Sequence, residues 1–339
     1  MHNNEKILLT HGSGGRLTHE LIQTLFKKKF SNKVLNSLDD AAELEIYQKK
    51  GERIAFTIDS FVVNPIFFPG GDIGKLAVCG TVNDLAMKGA IPKAIAISAI
   101  IEEGFSIEDL RKIVDSISIT AKKAGVIVAA GDTKVVEKGK ADKLFLTSAG
   151  IGIIEKNIYI SGKNAVQGDD VIISGTIGDH GVAVIVARND FKIKTSIKSD
   201  CAPLNNLVSQ MLNVSKNIHS MRDPTRGGLA TTLNEIAQTS NVGIIIEERD
   251  IPIKNEVKSV CNILGFDPLY VANEGKLIAI VKSTDSLELL KTMKNNEYGK
   301  DAKKIGKIVK TPKGVWLRTS VKGLRPLVML EGEQLPRIC

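Results

Sequence analysis

Cysteine is scarce in this 339-residue chain, and the four that occur (Cys79, Cys201, Cys261 and Cys339) lie far apart with no C-x-x-C spacing. That excludes a zinc ribbon or a disulfide framework and leaves free thiols, so a reducing, cytoplasmic setting is expected. Aromatic residues are few, at 4%, and the basic excess of +8 is spread along the sequence. With little to stack on bases, a nucleic-acid binder is not expected, whereas a positive balance suits a phosphate-bearing ligand. The most apolar stretch, residues 91–101, is short and contains Pro92 and Lys93, so no membrane span is expected. Residues 1–9 lack the apolar core of a secretory signal. Two nucleotide signatures are missing as well. No G-x-G-x-x-G follows a strand pattern, which speaks against a dinucleotide fold. The segment from Pro69 to Leu76 has Pro where a P-loop needs its first Gly, and Leu where it needs a magnesium-binding Ser or Thr.

What is present is an alternation of strand-like and helical patterns, which makes the chain α/β. Hydrophobic residues are 43%, enough for a substantial core, and the length favours two domains over one. In the first half, strands are expected at 53–60, 91–101, 126–130 and 144–154, and helices at 72–88 and 107–125. The segment Gly131-Asp132-Thr133-Lys134 reads as a turn closing the third strand. Residues 159–170 read as a boundary. The second half repeats the alternation, with strands at 171–174, 243–247, 277–281 and 305–309 and helices at 181–188, 203–213, 229–240, 257–264 and 286–294. The expected division is 1–158, 159–321 and a free tail at 322–339.

The chemistry-bearing residues are scattered along this frame. Gly12-Ser13-Gly14-Gly15 precedes a helical pattern, and glycines there let backbone N–H groups approach phosphate oxygens; the plain alternative is a loop and cap. Asp39, Asp40, Asp59, Asp84, Asp132 and Asp223 each stand at an expected strand end or on a loop or helix surface. Any one of them is more simply a cap or turn residue, and Asp84 an i,i+4 partner of Lys88. As a set they suit a magnesium–nucleotide site, because the metal resolves the repulsion between carboxylates and a polyphosphate. Lys134, beside the Gly-Asp turn, is a candidate for stabilising developing charge, and Glu274 in Asn273-Glu274-Gly275 a candidate base. Cys339, the last residue, follows Pro336-Arg337-Ile338 and places a thiol at the end of the tail. It is not a prenylation site, which needs three residues after the cysteine.

Taken in order, His11-Gly12-Ser13-Gly14-Gly15, Asp39-Asp40-Ala41-Ala42, Asp59-Ser60, Asn83-Asp84-Leu85-Ala86-Met87, Gly131-Asp132-Thr133-Lys134, Arg222-Asp223-Pro224-Thr225-Arg226-Gly227-Gly228, Asn273-Glu274-Gly275 and the terminal Pro336-Arg337-Ile338-Cys339 closely resemble the HypE family. These are the carbamoyl dehydratases of nickel–iron hydrogenase maturation, in the PurM-like superfamily of aminoimidazole ribonucleotide synthetase. The aspartate loops mark only the superfamily; the terminal Pro-Arg-Ile-Cys marks the family. The resemblance implies a two-domain subunit whose N-terminal domain pairs into a dimeric β-barrel, with ATP near that interface and a mobile C-terminal tail. It implies that the carbamoyltransferase HypF loads the Cys339 thiol, and that ATP-dependent dehydration turns the carbamoyl group into a thiocyanate. A HypC–HypD scaffold would then receive the cyanide. On this resemblance Gly12, Ser13, Gly14 and Gly15 face the nucleotide, Mg2+ is held by some of Asp40, Asp59, Asp84, Asp132 and Asp223, and Lys134 and Glu274 act on the carboxamide. Two superfamily alternatives fit less well: a selenophosphate synthetase needs a reactive residue near the N-terminus, where no Cys precedes Cys79, and a thiamine monophosphate kinase has no use for a terminal thiol. A non-catalytic thiol carrier is the reading from another class.

Overall fold

A computed structural model of the chain describes residues 16–21, 23–24, 39, 41–44, 51–188, 193–330 and 337–339. The expected phosphate loop (Gly12, Ser13, Gly14, Gly15) and Asp40 therefore lie outside the described residues. The first half is a five-stranded sheet in the order β1 (Ala42–Leu44), β2 (Arg53–Phe61), β7 (Leu144–Ile154), β5 (Ala90–Glu102), β6 (Ile127–Val136), antiparallel except for the β5–β6 pair. Strand β2 shows how one face is chosen: Ala55, Thr57 and Phe61 are buried while Phe56, Ile58 and Ser60 face out, the period of two that a half-covered sheet requires.

The covering element is α2 (Ile73–Met87), almost wholly buried. Asp72 caps it, accepting from the backbone N–H groups of Gly74 at 2.8 Å and Lys75 at 3.0 Å. A carboxylate thus fills the anion-attracting helix end that a P-loop would leave for phosphate. A helix buried all round sits between two layers. Its sheet side packs on β2, β5 and β7, and its other sides on α3 (Ile107–Ala124), on α5 (Asn205–Val214) and on β9 (Ile218–Arg222). Leu85, Ala86 and Met87 share one apolar cluster with Leu204, Leu207, Met211 and Met221, so α2 joins the two halves through a continuous core.

The second half is a seven-stranded sheet ordered β14 (Leu324–Pro326), β13 (Gly314–Arg318), β10 (Gly243–Glu247), β12 (Lys303–Val309), β8 (Asp170–Ile173), β11 (Ile278–Val281), β9. Strands β8 and β11 are buried on both faces, with α5 and α8 (Ser286–Lys294) on one side and α6 (Gly228–Thr239) on the other. The remaining α-helices among the described residues are α1 (Arg16–Leu21), α4 (Asp179–Ala187) and α7 (Asn255–Leu264), and a two-stranded ribbon of β3 (Phe67–Phe68) and β4 (Gly71–Asp72) precedes α2.

Three expectations are corrected here. Gly131-Asp132-Thr133-Lys134 is not a turn but lies inside β6, paired residue for residue with β5. Regular structure does not end at Val309: β13 pairs in parallel with β10 and β14 pairs with β13, short strands whose few alternating residues give little periodic signal. The span 322–339 is accordingly not a free arm along its length. It begins in β14, Leu327 is buried in the core and donates its N–H to Val315 O at 2.8 Å, and its last three residues are held at the other end. Replacing Asp72 by Ala is expected to lower unfolding stability by about 1 kcal/mol, read as a lower urea midpoint at unchanged slope. An unchanged midpoint would show that the Asp72 cap contributes nothing.

Candidate active site

The tip of the chain enters a pocket of about 280 Å3 at the joint between the halves, where Cys339 meets Asp59, Asp84, Asp223, Arg226 and Glu274. Each of these arrives on a differently fixed element. Asp59 lies near the end of β2, and Asp84 on α2 accepts a 2.7 Å hydrogen bond from the Thr57 hydroxyl of the same strand. Lys88 pairs with Asp39 at 3.0 Å. Asp39 also accepts from the Ser161 hydroxyl and the Gly162 N–H, and so ties the segment between the halves. Asp223 and Arg226 belong to a tight turn in which the Gly228 N–H bonds Thr225 O; Gly227 and Gly228 both have positive φ (75° and 59°), which favours glycine before α6.

Glu274 is fixed from both sides of its short loop. Asn273 accepts from the Gly178 N–H at 2.7 Å and donates to Pro224 O at 2.9 Å. The Glu274 N–H donates to Asp200, and its carbonyl takes the Asn83 amide of α2 at 3.4 Å. At Gly275 a Cβ would lie 1.8 Å from the Asp200 carbonyl oxygen, so only glycine permits this approach. The Glu274 carboxyl is buried, and its Oε1 has no hydrogen-bond partner among the described residues. Burial, reinforced by the nearby Cys201, Asp223 and Asp200, pushes its pKa well above the usual carboxylate range, with Arg226 opposing.

The Cys339 thiol lies against Glu274. Burial first of all, then Glu274 and Asp59, push its pKa up to about 12, again against Arg226. In this position it is a thiol and not a thiolate. Arg226, facing Cys339, Asp59, Glu274 and Asp84, holds its proton more firmly than usual. It was quoted in the sequence motif without a role, and no sequence signal marks it beyond its place in the turn.

Asp132 and Lys134 are not brought to this pocket. They sit on edge strand β6, 63% and 72% exposed and 3.8 Å from each other. Asp132 pairs with Ser98, Ser98 with Thr147 and Thr147 with Ser60, which puts it three strand spacings, about 14 Å, from β2. Among the described residues no three His, Cys, Asp or Glu side chains converge on a metal position. The donor set in the pocket nonetheless fits Mg2+, which uses one or two carboxylates and draws its other ligands from water and substrate phosphates.

Because the folded-state pKa of Glu274 is raised, its contribution to stability is present below about pH 4.3, the unfolded value, and is lost as pH rises toward the folded value. Glu274→Gln removes that loss. The variant is expected to melt at a higher temperature than the parent at pH 7–8, with the difference closing at pH 4, by calorimetry. A lower melting temperature for the variant at neutral pH would refute the raised pKa.

Sequence and structure comparisons agree with this geometry. Residues 38–154 match the family model for the N-terminal domain of AIR synthase related proteins and residues 166–317 that for the C-terminal domain. A carbamoyl dehydratase HypE of Cupriavidus necator is 47% identical over 335 residues, 98% of this chain and 95% of its own length. The solved structure of a HypE–HypF complex superposes with a TM-score of 0.86 at 48% identity, over 91% of this chain and 99% of that one. A structure of HypE in complex with ATP gives 0.82 at 43% identity, over 98% and 100%. With its terminal thiol seated beside a buried glutamate, this chain belongs to the HypE family of carbamoyl dehydratases, within the AIR synthase related proteins.

Proposed function

We propose that the protein is an ATP-dependent carbamoyl dehydratase acting on its own C-terminus: it converts an S-carbamoyl group on Cys339 to a thiocyanate, the source of a cyanide ligand for hydrogenase iron. The observation that carries this reading is the half-buried Cys339 thiol against a Glu274 carboxyl that is buried with one oxygen unpartnered among the described residues. A carrier that only ferried a group would have no need of such a costly carboxyl beside its cargo.

The chemistry follows from the leaving group. A carboxamide oxygen leaves poorly; transfer of the ATP γ-phosphoryl to it, with release of ADP, makes it part of a phosphate. Two protons then leave the nitrogen, the C–O bond breaks, phosphate departs and a C≡N bond forms, so the net loss is one water. Glu274, once deprotonated, is a strong base because its surroundings disfavour its charge, and it accepts the nitrogen proton. Arg226 balances negative charge at the reacting carbon. Asp59, Asp84 and Asp223 would hold Mg2+, with Asp40 as a further ligand, and the metal would neutralise phosphate charge; Asp132, about 14 Å from β2 in one copy, would join that set only from a second copy. Lys134 acts on the oxygen or the phosphate.

The pocket is small for a whole nucleotide, and Asp132 and Lys134 stand on an open sheet face that carries Phe56, Ile58, Ile127 and Ile151 exposed. Such an apolar sheet face beside an exposed edge is what a second copy would cover. We propose that two N-terminal domains pair there, and that the nucleotide lies along the covered edge with Gly12, Ser13, Gly14 and Gly15 over it. Loading by HypF and delivery to a HypC–HypD scaffold both require Cys339 outside the pocket, so the tail leaves its seat between steps.

Incubated with carbamoyl phosphate, HypF and ATP, the protein is expected to gain a carbamoyl group and then lose the mass of one water, as seen by intact-protein mass spectrometry. Glu274→Gln and Lys134→Ala should stop at the carbamoylated mass; full water loss in either variant removes that residue from the mechanism. Ile58→Asp, aimed at the open sheet face, is expected to shift the protein from twice the chain mass to a monomer in light scattering. A parent protein that is already monomeric would discard the pairing.

A further inference from the structure

Each of the last three residues has a main-chain oxygen taken up by the protein: the carbonyls of Arg337 and Ile338 and one oxygen of the terminal carboxylate of Cys339. Cys339 O accepts from the Val62 N–H at 3.4 Å, and Arg337 O from the Asn64 N–H at 3.1 Å and from the Arg188 guanidinium at 3.0 Å. Between them, Ile338 O lies 2.9 Å from Nε2 of His180, a residue wholly buried at the first turn of α4. A carbonyl can only accept, so Nε2 carries the proton and Nδ1 is the acceptor of the neutral ring. The Ser199 hydroxyl, 2.8 Å away, supplies that bond, and its oxygen in turn accepts from the Cys201 N–H at 3.0 Å. Every polar atom in this chain of contacts is satisfied by a single arrangement of protons. Phe68 packs edge-on against the imidazole, which fixes the ring plane. The Ile338 side chain is buried in the same cluster as Phe68.

The loop that orients His180 also holds Glu274. Asp200, between Ser199 and Cys201, accepts the Glu274 N–H at 3.1 Å and pairs with Lys276 at 3.1 Å, and its carbonyl lies against Gly275. We infer that His180 is a positioning residue that seats the chain terminus through the Ile338 carbonyl, and that residues 199–201 join this seat to the loop bearing Glu274. Cys339 and Glu274 are then placed together, by one short segment, rather than independently. The function of the seat rests on the dehydratase reading above; the existence of the seat does not, and it can be tested without ATP or any partner.

The readout is alkylation of Cys339 by iodoacetamide in the intact protein, followed by peptide mass mapping. Cys79, Cys201 and Cys261 are buried and report on opening of the fold. A docked thiol, half-buried and held protonated, reacts far more slowly than an undocked one, so its rate follows docking. His180→Phe keeps the ring against Phe68 but cannot donate to Ile338, and is expected to raise the Cys339 rate tenfold or more with the other cysteines unchanged. His180→Gln, whose amide can donate to the same carbonyl, should remain within about threefold of the parent. Ser199→Ala, which removes the bond that holds the imidazole tautomer, should give an intermediate rise, and it carries the test if His180→Phe does not fold. An unchanged Cys339 rate in His180→Phe, or equal acceleration in Gln and Phe, overturns the inference. So does concerted labelling of Cys79 and Cys201, which would make His180 a general support of the fold.

Discussion

The Asn83 carboxamide is the bond on which the site depends. It stands on α2, the helix buried between the two halves, and is itself buried. It donates to Ala202 O at 3.1 Å and Glu274 O at 3.4 Å, and accepts from the Leu204 N–H at 2.8 Å, all in the second half. A carboxamide so enclosed is costly to leave unpaired, so the register between the halves is set by satisfying it. The next residue, Asp84, then points into the same pocket that Glu274 enters from the other side. One helical step converts a structural bond into a catalytic juxtaposition.

That pocket is electrostatically uncomfortable as it stands. Asp59, Asp84, Asp223 and Glu274 line it together with Arg226, and burial first, then Cys201, Asp223 and Asp200, raises the pKa of Glu274. A fold pays for such crowding where it serves chemistry. On the reading proposed above, a divalent cation accompanying the nucleotide would relieve the crowding among these carboxylates. On the proposed mechanism, the same elevation makes Glu274 an effective base once its proton is gone.

Much of this was legible in the sequence, and what was not has identifiable causes. The α/β alternation, the sheet strands 91–101 and 144–154 and the helix at 286–294 follow from periodicity long enough to read. Strands of three to five residues such as β9, β13 and β14 carry too few alternations to distinguish from loop. Gly131-Asp132-Thr133-Lys134 misled because a Gly-Asp pair usually marks a turn, whereas here the strand continues and the glycine meets only Ile97 O of the neighbouring strand. The aspartates, Glu274 and Cys339 were found as chemistry-bearing types in suggestive local settings. His180, Asp200, Lys276 and Arg226 were not, because their importance lies in contacts between residues far apart in sequence. Asp39 shows the reverse case: an aspartate that looked like part of the metal set is held by Lys88, Ser161 and Gly162.

The docked position of Cys339 also constrains the order of events. A thiol whose pKa is pushed to about 12 is a poor nucleophile near neutrality, so the docked state is the wrong place to acquire a carbamoyl group. It is the right place to lose water from one, since dehydration needs a nearby base and an enclosed carbonyl and makes no demand on the sulfur as a nucleophile. Loading and dehydration therefore want opposite environments for the same atom. The terminus meets both demands by being held through main-chain carbonyls and two side-chain donors rather than through its thiol. These bonds are the same whether the sulfur is free, carbamoylated or cyanated, so the seat binds the arm without discriminating among its cargoes. Discrimination is left to the space around the sulfur, where Glu274 and Arg226 stand. A grip on the backbone that is indifferent to cargo lets one three-residue segment deliver substrate and withdraw product through the same opening.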